Sequence, residues 1–135
     1  MTTAKILPSI DCFNKVYLAY QEAAGKSNET PHFVYKISEY CINLEFANQH
    51  IFRLLTPALK HNQVSGSPKP DLTICIWDTK SSKTPLPDLS WENLEFIIRR
   101  GVSLYHDQRI TISYEIEPKI LSMLDSERNL AIYWF

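Results

Sequence analysis

From Arg109 to Glu117 apolar and polar residues alternate without a break. Ile110, Ile112, Tyr114 and Ile116 fall on one side of an extended chain, and Arg109, Thr111, Ser113, Glu115 and Glu117 on the other. A period of two is the signature of a half-buried β-strand, because successive side chains point to opposite sheet faces. The same region closes on the most apolar hexapeptide of the sequence, Leu130 to Phe135. Burying four of its large side chains is worth on the order of 6–12 kcal/mol at ~1.5–3 each, so the segment is expected to be paired in a sheet or covered by a partner. Tyr133, Trp134 and Phe135 are the candidate partner-binding residues, with Phe135 the best placed because no chain follows it to help bury it.

Further strands follow from the same kind of pattern. Phe33–Ile37 and Cys41–Phe46 read as a hairpin, Leu72–Trp77 as a strand, Val102–His106 as a partner for Arg109–Glu117, and Ile120–Asp125 as a partner for Leu130–Phe135. Trp91–Arg100 fits a short helix or a strand, ended by Gly101. Residues 10–24 read as a helix with Phe13, Val16, Tyr17 and Tyr20 on one stripe, Ser9 as N-cap and Gly25 as the left-handed C′ residue. A second helix is expected from Gln49 to about Lys60, capped by Asn48, with Ile51, Leu54, Leu55 and Leu59 on one side. It should break after Leu55, because Pro57 removes a backbone donor. Residues 62–70 and 79–88 read as loops. Helices early and strands late do not suit alternating βαβ units. The expectation is one α+β domain over residues 1–135, with residues 1–8 a disordered tail, and a mostly antiparallel sheet of six to seven strands carrying two main helices on one face.

Bulk properties exclude several functions. The chain has 135 residues, 44% apolar and 21% charged, which suits one folded domain burying roughly two-thirds of its unfolded surface. Its 14 basic and 15 acidic residues are dispersed, and Arg99-Arg100 is too small a patch for nucleic acid or an anionic membrane. Cys12, Cys41 and Cys75 lack the spacing of a zinc site or a disulfide framework, and no signal-like or membrane-spanning run is present, so a cytoplasmic location is expected.

Catalytic signatures are missing. Gly25, Gly66 and Gly101 compose no phosphate-cradling loop, none of the four histidines has metal-ligand spacing, and no Ser or Cys sits in a nucleophile motif. No cofactor is implied and a non-enzymatic role is favoured. His50 with Glu45, and His106 with Asp107, could form acid–base pairs, although solvated turns are the commoner setting for such residues. Cys12, in the first turn of a helix, is the best placed thiol for activation, opposed by neighbouring Asp11. Asp78 follows Trp77 at a strand end, where loops commonly carry binding residues.

Four segments, Tyr35–Phe46, Leu54–His61, Pro70–Asp78 and Met123–Trp134, together resemble the amino-terminal region of bacterial proteins similar to HPr kinase. The resemblance runs from about Phe33 to the C-terminus and rests on structural phrases. It implies a kinase-like domain with a Gly-Lys-Ser/Thr loop downstream, and this sequence ends before such a loop, so no catalytic residue is carried over. The function so implied is a non-catalytic accessory domain that positions a kinase domain, binds a protein or peptide partner, or pairs with a second copy. The alternative is a small ligand-binding domain or enzyme with a pocket between sheet and helices, for which Asp78, His106 and Glu115 are the polar candidates.

Overall fold

The computed structural model describes residues 8–55, 57, 60–64, 69–89 and 94–135. Helix α1 spans Pro8–Gly25, followed by strands β1 (His32–Ile37) and β2 (Tyr40–Phe46), helix α2 (Gln49–Leu55), strand β3 (Leu72–Trp77) and the single turn α3 (Thr79–Ser82). Strands β4 (Ile97–Arg99), β5 (Val102–His106), β6 (Ile110–Glu115), β7 (Ile120–Asp125) and β8 (Leu130–Trp134) complete the chain. All eight strands form one sheet in the order β1-β2-β3-β8-β7-β6-β5-β4. Only the β2–β3 and β3–β8 pairings are parallel; the others are antiparallel.

The α+β class and the dominance of antiparallel pairing agree with the sequence reading, and three details differ. Among the described residues the strands number eight, because Ile97–Arg99, ambiguous in sequence, pairs with β5 across Arg100-Gly101. Both turn residues have positive φ, 52° and 78°, the geometry of a tight two-residue hairpin turn that glycine relieves at its second position. One βαβ unit does exist: parallel pairing of β2 with β3 requires a crossover, and α2 lies on it. The two main helices also lie on opposite faces of the sheet. Cys75 and Trp77 face Tyr20 of α1, whereas Phe46 and Phe33, of the other parity, hold Phe52 of α2 between them.

Helix α1 crosses β3, β6, β7 and β8, with Phe13, Val16, Tyr20 and Ala23 buried along one stripe. Beneath it, register aligns Cys75, Ile132, Met123 and Ile112 in one row and Trp77, Trp134, Leu121 and Tyr114 in the next. These rows are the centre of the core. The helix starts at Pro8, a favourable first position because its missing N–H would have no intrahelical partner. Ser9 is therefore inside the helix and caps nothing; its buried hydroxyl donates to Asp107. Gly25 remains helical, without a positive φ. Asn48 does cap α2, its Oδ1 accepting the Ile51 N–H at 3.1 Å, and the helix ends at Leu55, ahead of Pro57 as expected. Leu54 is exposed and Phe52 takes its place against the sheet, while Leu59 lies outside the described residues. No helix among the described residues is long and apolar enough to cross a membrane.

Candidate functional site

The sheet face opposite α1 is covered unevenly. At the β1–β2 end, Phe33, Phe46 and Phe52 form a ring cluster with centroid separations of 5.1 and 5.5 Å. Beyond Ile76 the covering stops. Register sets Ile74, Ala131, Leu124, Thr111 and His106 side by side in one row, and Tyr133, Ser122, Ser113, Leu104 and Ile97 in the next. Leu72, Ile74, Leu124, Ala131 and Tyr133 are only half-buried, and Leu104 is 38% exposed. Leu72, Ile74, Leu124, Ala131 and Tyr133 floor a shallow trough of about 270 Å³ with no charged side chain among its described lining residues. Alternation accounts for this: Thr111 and Ser113 occupy the polar side of the β6 pattern, while β3 and β8 are apolar on both sides.

Four of the sequence candidates share this open face without converging on one site. Tyr133 lines the trough, with Phe135 half-buried beside it at a ring separation of 5.9 Å. His106 stands on the same face, exposed, with Nδ1 3.2 Å from the Thr111 hydroxyl. Glu115 shares the face but lines a separate recess of about 520 Å³ at the β4–β5 turn, with Arg100, Glu117 and Lys119. Trp134 points the other way into the core, 8% exposed, where its Nε1–H donates to Thr79 Oγ1 at 2.9 Å. It is not available to a partner. The reason is topological: β8 lies between β3 and β7, so the apolar C-terminal segment is internal to the sheet.

The remaining sequence candidates are structural. Asp78 is buried and caps α3, accepting the Ser81 N–H and the Ser81 hydroxyl. His106 and Asp107 diverge: Asp107 turns to the α1 side, where it accepts from Ser9, Tyr105 and the N–H groups of Arg109 and Ile110. Burial would raise the Asp107 pKa, but those donors outweigh it and bring the carboxyl down to about 2. His50 is exposed on α2, whereas Glu45 belongs to the α1 face, so the two do not form a pair. Burial raises the Cys12 thiol, with Lys15 opposing and Asp11 adding to the rise, so the helix start does not activate it. Cys75 is pushed up to about 12 by burial and by Glu45, against a hydrogen bond with Tyr20. Among the described residues, no three His, Cys, Asp or Glu side chains converge as a metal site.

A third concavity was not legible in the sequence. Asn48, Gln49, His50, Ser81 and Ser82 meet the C-terminal end of α1 (Ala23, Lys26, Ser27) in a cleft of about 360 Å³. It sits at the carboxyl ends of β2 and β3. Polar residues directly after two apolar strands were its only sequence signal, and that signal is shared with ordinary turns. No protein-family model matches the chain, and no curated protein or solved structure shows significant similarity to it.

Proposed function

We propose that this chain is a non-catalytic contact domain that docks a folded partner on the open sheet face. The observation that carries the reading is the half-covered sheet: a trough of Ile74, Leu124, Ala131 and Tyr133 on the face opposite the rows that α1 packs. Exposed contiguous apolar surface on a folded domain commonly marks a protein interface. The resemblance to the amino-terminal region of HPr kinase-like proteins supports a kinase-like P-loop domain as the partner. Asp78, His106 and Glu115, the candidates for an enzyme pocket, lie in three different settings, which weighs against a shared catalytic role.

The test is co-purification of the chain with a kinase-like P-loop domain encoded in the same genome. Stoichiometric association is expected, and Leu124→Glu with Ala131→Glu should abolish it while leaving the circular dichroism spectrum unchanged. Absence of association by the unaltered chain, or association that survives both charges, would refute the reading.

A further inference from the structure

We propose that the cleft at the carboxyl ends of β2 and β3 binds a small anionic ligand, one that presents a phosphate or a carboxylate group. The first reason is topological. After β2 the chain departs onto the face that α2 covers, where Phe52 packs on Phe46. After β3 it departs onto the opposite face, where the Trp77 indole donates to the Thr84 carbonyl at 3.1 Å. Two adjacent parallel strands whose connections leave on opposite faces open a crevice between them, and such switch points are where open sheets place their ligands.

The second reason is that the crevice is already built. Asn48 spans it, with Oδ1 held by the Ile51 N–H and Nδ2 donating to Ser81 Oγ at 2.9 Å. Lys26 Nζ donates to the Lys83 carbonyl at 3.3 Å, tying the end of α1 to the segment after α3. Three separate parts of the chain are thus fixed around one space, so a ligand need not order them. Its volume of about 360 Å³ suits a small metabolite.

The third reason is charge. Among the described lining residues Lys26 and His50 are the ionisable side chains, and none is an acid. The two neighbouring carboxylates are each tied to one residue of the wall: Asp78 accepts from Ser81, and Glu29 accepts from Gln49. An anion entering here meets the Lys26 ammonium, and no carboxylate is among the described lining residues. This site is separate from the open sheet face and stands or falls independently of it.

The experiment is an amide NMR titration of the full chain with inorganic phosphate, and separately with citrate, up to about 20 mM at constant ionic strength, a range that captures millimolar Kd values. Saturable shifts at Ser27, Asn48–His50 and Ser81 are expected with at least one probe, and the responding probe identifies the group that is recognised. Lys26→Met combined with His50→Gln, both at exposed positions, should weaken that response at least about tenfold without altering the rest of the spectrum. Lys26→Ala alone provides the same comparison if the double variant folds poorly. The proposal is overturned by shifts that do not saturate with either probe, that map elsewhere, or that persist in the variants. Equal shifts with uncharged glycerol would overturn it too.

Discussion

Arg109 grips the buried carboxylate of Asp125 with two parallel hydrogen bonds, Nε to Oδ1 and Nη2 to Oδ2, each 2.8 Å long. Asp125 also accepts from Arg128 and from the N–H groups of Glu127 and Arg128, and its side chain is 0% exposed. Arg128 in turn donates to Asn14 at 2.8 Å and lies 5.0 Å over the Phe13 ring. One carboxylate therefore joins the β6 start, the β7–β8 turn and the first turns of α1. Asp125→Ala should cost about 3–5 kcal/mol, the range seen when one partner of a buried ionic network is removed. Urea unfolding midpoints of the two proteins would measure it, and a cost below about 1 kcal/mol would show the network to be marginal.

Acid should weaken the fold through two aspartates. Asp107 is lowered from 3.8 to about 2, and Asp125 is also lowered, chiefly by its bonds to Arg109. A depressed folded-state pKa contributes stability that is fully present above the unfolded value and is lost as pH falls through the folded one. Stability should therefore be constant down to about pH 5 and decline as pH falls from about 4 towards 2. Denaturation midpoints measured across that interval would show it, and Asp107→Asn should flatten the profile.

The thiols should differ in reactivity. With Cys75 pushed up to about 12 and Cys12 raised as well, both are buried thiols with little thiolate at pH 8. Cys41 is half-buried at the start of β2. A brief maleimide treatment of the native chain should modify Cys41 alone, read by peptide mass spectrometry. Prior labelling of Cys75 would show that the sheet opens beneath α1.

The two faces of the sheet should respond differently to substitution. Trp134→Ala removes a core indole that packs 6.4 Å from Trp77 and should cost about 3–5 kcal/mol. Leu104→Ser, on the open face, should stay within about 1 kcal/mol. Thermal unfolding of both variants would separate them, and equal losses would mean that the open face is covered as fully as the α1 face.

Local pattern in the sequence determined most strands and their hairpins, the apolar stripe of α1, the Asn48 cap and the end of α2 before Pro57. Each of these depends on neighbours within a few residues: side-chain period, a missing donor, a capping oxygen. Strand order, the βαβ unit of β2, α2 and β3, the opposite placement of α1 and α2 and the cleft beyond β2 and β3 were decided by tertiary structure alone. Alternation reports that a side of a strand is buried, and is silent on what buries it. Leu130–Phe135 shows this most clearly. Its apolar residues on both sides suit an interface or an interior equally well in sequence. Pairing with β3 and β7 makes the segment interior, with Trp134 in the core and Tyr133 on the open face.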